Sequence, residues 1–313
     1  MGLDSSAIMF LCAAKSMGID FGHTATIGRQ AFFPNEATLR RVFATLNVGA
    51  DPKAFLQQHK YGEAFFSLLG ATRIDSVDVS PYEKATIIHD MNLPLPRELK
   101  ERFTLVFDGG TIEHVFNIVQ AFKNCMEMVR VGGYFTQVNV ANNFAGHGFW
   151  QFSPELIFRA FSAENGFRLE TVLMHEVVPG GAWYLVSDPD AIGRRVELCN
   201  TRPTYILTLA KRIASGPVLE RSPQQSDYVD LWHRTLNAAS FPAPAAAGPA
   251  HKRTWKRHIP LPVKQALYAA FHRARALRDA STCRGFSPTA YRRLSETEVL
   301  QGRWVVFVYC VLL

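Results

Sequence analysis

The sequence predicts an α/β chain built on a doubly wound, mostly parallel sheet, and three observations predict it. Short apolar runs of strand length alternate with stretches of helical period from His23 to Ala210. Phe103–Phe107 is continuously apolar, as a strand covered on both faces must be. The segment from Leu105 to Phe135 then passes through an acidic glycine loop, a helical stretch, a glycine turn and another apolar run.

Taken in order, His23–Ile27 is a β-prone run ending at Gly28. Leu39, Val42, Phe43 and Leu46 recur at helical spacing, with Asn35 in front as a cap. Tyr61–Leu69 reads as a second helix, and Ile74–Val79 and Thr86–His89 as short strands. After Phe103–Phe107, helix is predicted over Ile112–Val129 and strand over Tyr134–Val140. Ser153 caps a helix running to Phe161, with Glu155 in its first turn, and Gly166 ends it. Phe167–Glu176 and Thr204–Ala210 read as further strands. Right-handed connections in such a sheet put ligands beyond the carboxyl ends of its strands.

At 48% hydrophobic residues, the 313-residue chain can bury a sizeable core. Its five cysteines show no CxxC spacing, which points away from a disulfide framework or zinc knuckle and towards a reducing, cytoplasmic setting. No apolar run approaches the ~20 residues that span a bilayer. Ala7–Ala14 is apolar but lacks a basic lead, and Asp4 precedes it, so a signal peptide is not expected. The start MGLDSS fits the loose N-myristoylation pattern, against which stands an ordinary start.

Charge divides the chain. Residues 191–313 hold 19 Lys+Arg against 7 Asp+Glu, whereas the whole chain nets only +7. The expected organisation is an N-terminal helix or lead-in over 1–22, a sheet domain over 23–212 with a helical insertion at 31–70, and a linker with a basic extension over 213–313. Within that extension lie a Pro/Ala linker (Phe241–Pro249), a basic cluster (Lys252–His258), an amphipathic stretch (Val263–Leu277) and an apolar end (Trp304–Leu313). The extension is either a solvated basic face or a contact for an anionic membrane surface, which would make the chain peripheral at the inner membrane face. Nucleic acid is disfavoured, because the basic residues lie outside the sheet and no Asn-Pro-Pro-aromatic signature is present.

The stretches YGEAFFSLLGA, FDGGTIEHVFN and GHGFWQFSPE resemble the class I S-adenosylmethionine-dependent methyltransferases, in a divergent branch of bacterial surface-glycan type. The resemblance implies a Rossmann-like methyltransferase fold with S-adenosylmethionine as cofactor. It implies Gly28, Asp108 and Gly109 at the methionine end of the donor, Asp78 at the ribose and Asp90 at the adenine. A carboxylate at Asp78 can accept two hydroxyl donors in strong, charge-assisted bonds. Asp75 is its rival, and turn or cap roles are the plain alternative for each aspartate. The first motif departs from the family: Thr26-Ile27-Gly28-Arg29-Gln30 keeps one glycine, Gln30 replaces the second, and Arg29 brings a cation towards a cationic donor.

The loop NVANNFAGHGFWQFSPE sets polar groups among aromatics. Asn142, Asn143, Trp150 and Gln151 are candidate acceptor-binding residues, and the mixture suits a sugar or other polyhydroxylated small molecule. His147, between two glycines, and His114, in the segment IEH, are candidate bases for a hydroxyl proton. No HxH or HExxH spacing occurs, so no metal site is expected. The expected function is methylation of a sugar or glycan hydroxyl; the alternative is a donor-free scaffold in glycan assembly.

Overall fold

A computed structural model describes residues 2–193, 195–229, 232, 260, 262–263, 266–267, 270 and 291–303. The Pro/Ala linker, the basic cluster, most of the amphipathic stretch and the apolar end lie outside the described residues.

Strands β1 (Gly2–Leu3) and β3 (Ala31–Phe32) form a small parallel ribbon. The remaining strands are β2 (His23–Ile27), β4 (Arg73–Asp78), β5 (Ile87–Ile88), β6 (Phe103–Asp108), β7 (Val129–Asn142), β8 (Phe167–Glu176), β9 (Trp183–Val186), β10 (Thr204–Arg212) and β11 (Tyr291–Leu294). They form one sheet in the order β11-β9-β8-β10-β7-β6-β2-β4-β5. Pairing is parallel from β5 through β4, β2 and β6 to β7, and antiparallel from β7 onward. Because β8 runs with β7 across the reversed β10, most strands still point one way, as the expected fold class requires.

Helices cover both faces. On one side lie α1 (Ser5–Ser16), α2 (Glu36–Leu46), α3 (Pro52–Gln58), α4 (Glu63–Leu68) and α7 (Glu296–Leu300), packed on Leu105, Phe107, Leu207 and Leu209. On the other lie α5 (Ile118–Met128) and α6 (Pro154–Ala160), packed on Ile27, Val106, Phe135 and Ile206. All six residues of β6 are buried, which is why its sequence shows no polar alternation. The apolar run Ala7–Ala14 is buried throughout and belongs to α1, capped by the Asp4 carboxylate on the Ala7 amide at 2.8 Å.

Two expected elements differ. Ile112–Val129 is not one helix: a 3₁₀ turn over Ile112–His114 is followed by extended chain, α5 starts after Asn117, and Val129 already belongs to β7. Asn117 forces the restart, since its amide donates to Asn92 Oδ1 at 2.9 Å while its side chain caps Gln120. The strand over Thr86–His89 shrinks to Ile87–Ile88, because Thr86 is bound sideways to Ser76 by hydroxyl–amide bonds in both directions.

Candidate functional site

The chain crosses from β2 outward to β4 and β5, then returns to β6 on the other side of β2 and continues to β7. At such a reversal, here at the carboxyl ends of β2 and β6, open α/β sheets place their ligands in a crevice. Gly28 ends β2 with φ +70°, and a Cβ there would stand 2.8 Å from Thr111 Oγ1. Thr111 Oγ1 in turn donates to Ile27 O at 2.7 Å, so the turn after β6 is tied to the end of β2.

Gln30 occupies this crevice. Its side chain is buried, with Nε2 donating to Ile27 O at 2.5 Å, and a Cβ on Gly109 would collide with its Oε1. Gly109 thus makes room for a side chain of the chain itself. The same Oε1 has no hydrogen-bond partner.

Asp78 stands at the tip of β4, beside Gly28: the Gly28 amide donates to Val77 O at 2.7 Å, one residue before it. It is half-buried, and one carboxylate oxygen accepts from the Ser80 amide at 3.2 Å. Its rival Asp75 lies nearer the amino end of β4 and is bound among His23, Arg73 and Arg102. Arg29 is held by Glu63 at 2.6 Å and the Glu83 carbonyl at 2.9 Å, with its guanidinium over the Tyr61 ring. Its charge is therefore already balanced.

Asp90 reaches the same edge of the sheet but accepts from the Asn92 backbone and side chain, at 2.9 and 2.8 Å. Those bonds hold its carboxyl below the usual range. Asp108, expected at the methionine end of the donor, has both carboxylate oxygens engaged within the chain. It is fully buried, with Oδ1 accepting from the Thr111 and Ile112 amides and Oδ2 from Asn139 Nδ2 at 2.7 Å. Burial first, then the nearby Glu113 carboxylate, pushes its pKa up to about 7.

A second polar centre adjoins the crevice. Asn139 Nδ2 also donates to Glu113 Oε2 at 2.7 Å, so one amide bridges two buried carboxyl groups. Glu113 Oε1 has no hydrogen-bond partner and lies 3.6 Å from His147 Nε2, which also lacks one. The His114 and His147 rings meet edge to face with centroids 4.8 Å apart. Burial lowers the pKa of His114. The loop carrying His147 is fastened by the Phe149 amide, which donates to Glu113 O at 2.8 Å. Gly148 permits this, since a Cβ there would press on that same carbonyl at 2.9 Å.

The acceptor candidates divide. Asn142 and Asn143 spend their amides on Asn200 and Arg202, and Gln151 accepts from the Phe144 amide, so all three shape the loop. Trp150 donates to Val115 O at 3.1 Å and is 37% exposed. Phe116 and Phe149 pack edge to face beside it and are both exposed. The structure thus gathers Gly28, Asp78 and Gly109 at the crevice, and His114, His147 and Trp150 around Glu113. Sequence reasoning missed Asn139 and Glu113 as site residues. The available signal was an asparagine inside the apolar run of β7.

No protein-family model matches the chain, and no curated protein matches it. Solved structures to which it is similar include a protein of Bacillus halodurans C-125 assigned as a methyltransferase, at 13% identity over 64% of this chain and 99% of that one, TM-score 0.35. Another is the 1,6-didemethyltoxoflavin-N1-methyltransferase of Burkholderia thailandensis, solved with 1,6-didemethyltoxoflavin and S-adenosylhomocysteine, at 12% identity over 66% and 79%, TM-score 0.34. A third is the branched-chain polyamine synthase of Thermus thermophilus, in complex with N4-aminopropylspermidine and 5′-methylthioadenosine, at 12% over 71% and 60%, TM-score 0.34. At this level of likeness, the strand order and the side chains of this chain carry the argument.

Proposed function

We propose that the chain is an S-adenosylmethionine-dependent methyltransferase acting on a hydroxyl of a sugar or glycan precursor. The observation that carries this reading is the chain reversal at the carboxyl ends of β2 and β6, with Gly28 directly after β2 and the half-buried Asp78 carboxylate beside it. Asp78 holds the ribose hydroxyls, and the backbone at Gly28 and Gly109 lines the methionine end. S-adenosylmethionine supplies an electrophilic methyl group when bound. His147 or His114 accepts the acceptor's hydroxyl proton, and the exposed rings of Phe116, Phe149 and Trp150 offer apolar faces to a sugar. Holding the acceptor oxygen in line with the methyl supplies much of the acceleration.

Gln30 must leave for the donor to enter. It is held by one close bond from Nε2, while its unpartnered Oε1 already costs about 1–3 kcal/mol of desolvation. Swinging the side chain outward restores that oxygen to water, which favours displacement.

One observation favours a second reading, in which the chain binds no donor and serves as a scaffold or membrane-associated partner in glycan assembly: the crevice is filled as it stands. Calorimetry with S-adenosylhomocysteine separates the two. The enzyme reading expects saturable binding by the native chain, tightened at least about tenfold in Gln30→Gly. Absence of heat from both proteins at millimolar ligand removes the donor role and leaves the scaffold.

A further inference from the structure

Glu113 poses a question that methyl transfer does not answer. A carboxylate with no exposure is stable only when paired or bonded. Its Oε2 is satisfied by Asn139, yet Oε1 is left without a hydrogen-bond partner and faces, at ion-pair distance, a histidine nitrogen that equally lacks one. The 3.6 Å between them is too long for a hydrogen bond. It fits a shared cation. Oxygen and nitrogen ligands at about 2.0–2.2 Å from a tetrahedral zinc stand about 3.4 Å apart. His114 completes the group, and the three ligand atoms all lie within 4.8 Å of one another.

We propose that Glu113, His114 and His147 bind one divalent cation of the zinc type. The surroundings match what such a site needs. Asn139 holds Glu113 Oε2, and Asp108 holds Asn139 from behind, so Oε1 is oriented before any ion arrives. The loop bearing His147 is pinned to the Glu113 carbonyl through the Phe149 amide, which fixes the spacing of the first two ligands. His114 is exposed and closes the remaining distance by side-chain rotation. One carboxylate and two imidazoles leave a coordination position for water or an acceptor oxygen, as in catalytic rather than structural zinc sites. The residues of the proposed site come from two segments 33 positions apart, which is why no motif announces it.

The inference does not depend on donor binding. A histidine that ligates an ion cannot also accept the acceptor's proton; in the occupied state its role becomes that of orienting an acceptor oxygen. The test is equilibrium dialysis of the full chain against zinc chloride, with metal content read by elemental analysis and affinity by calorimetry. One zinc per chain is expected, with affinity falling at least about tenfold in His114→Ala, in His147→Ala and in Glu113→Gln. The chain has ten histidines, so His59→Ala, at a ring packed at a tilt against Phe55, serves as the control and should bind as the native chain does. His114→Ala changes an exposed side chain and keeps the test decisive where Glu113→Gln fails to fold. Zinc uptake below one equivalent, or binding unchanged in both histidine variants, overturns the proposal. A chain that takes zinc but not S-adenosylhomocysteine keeps this inference and loses the donor reading; the converse loses this one alone.

Discussion

Two neighbouring regions at the carboxyl edge of the sheet handle buried polar groups in opposite ways. In the crevice between β2 and β6, the chain supplies its own occupant: Gln30 lies where a ligand would lie, and Gly109 is small to admit it. Around Glu113, the chain brings a carboxylate and two imidazoles together and leaves the gap between them unfilled. The crevice has the strand order of a ligand site with its space taken. The Glu113 centre lacks any sequence signature yet has unsatisfied ligand atoms. Strand order is the ground for the donor reading, whereas the facing unsatisfied atoms of Glu113 and His147 are the ground for the proposed cation.

The sharpest way to break this comparison is to remove the amide that holds the Glu113 centre. Asn139→Leu leaves the Asp108 and Glu113 carboxyl groups buried without their shared donor. Breaking a buried charged network of this kind costs about 3–5 kcal/mol. Urea denaturation should show that loss, and saturating zinc should return part of it, since an ion bound only by the folded chain stabilises it. A loss below about 1 kcal/mol would mean that the two carboxyl groups do not depend on Asn139.

The next effect belongs to the crevice. If Asp78 accepts two ribose hydroxyls, Asp78→Ala removes charge-assisted bonds worth about 1.5–3 kcal/mol. Affinity for S-adenosylhomocysteine should then fall about 10- to 100-fold. Asp90→Ala, whose carboxylate is already bound to Asn92, should change affinity far less. Equal losses in the two variants would deny Asp78 its place at the ribose.

The regions also differ in how far the sequence revealed them. The parallel half of the sheet was legible because β6 carries an apolar run, β2 a β-prone run ending at a glycine and β4 an alternating one, and because Asn35 and Ser153 cap their helices as cap residues do. Asp78 and Gly28 could be placed for the same reason, as strand ends. The antiparallel edge was less legible: β9 and β11 are four residues each and meet only through a long excursion of the chain. The Glu113 centre was hidden by its geometry. Asn139 looks inside β7 like any polar residue in a strand, and Glu113 sits in a 3₁₀ turn that helical spacing had absorbed into α5. Only the folded register brings them to one point. The Gln30 replacement was visible in the motif, but that its side chain would turn inward was not.

A smaller effect comes from pH. Asp108 has its pKa raised from 3.8 to about 7 in the folded chain, chiefly by burial. Between those values the folded chain holds a proton that the unfolded chain has released. Its contribution is therefore complete below 3.8, and it is lost as pH rises through about 7. His175 works with the opposite sign: burial lowers its pKa to about 4, so its contribution is present above 6.5 and lost on acidification. Native and Asp108→Asn proteins compared across this range isolate the contribution of Asp108. The native Tm should fall relative to the variant between pH 5 and pH 8, by a few degrees. A constant difference would deny Asp108 the buried proton.

The smallest effect is expected at Gln30, and it is the one that separates the two regions most cleanly. Gln30→Met keeps the length of the side chain while deleting both polar atoms. It loses the bond from Nε2 to Ile27 O, with a net worth of about 0.5–1.5 kcal/mol. It also deletes the orphaned Oε1, whose burial works against the folded state. The two changes nearly cancel, so the denaturation midpoint should move by less than about 1 kcal/mol, where Asn139→Leu moves it several-fold more. The ligand experiment moves differently. A methionine fills the crevice as fully as glutamine, gains nothing from entering water, and so resists displacement. Gln30→Met should bind S-adenosylhomocysteine more weakly than the native chain while its zinc affinity stays unchanged. If the substitution instead costs as much stability as Asn139→Leu, Gln30 is a built part of the core rather than an occupant of a ligand space, and the crevice is closed by design.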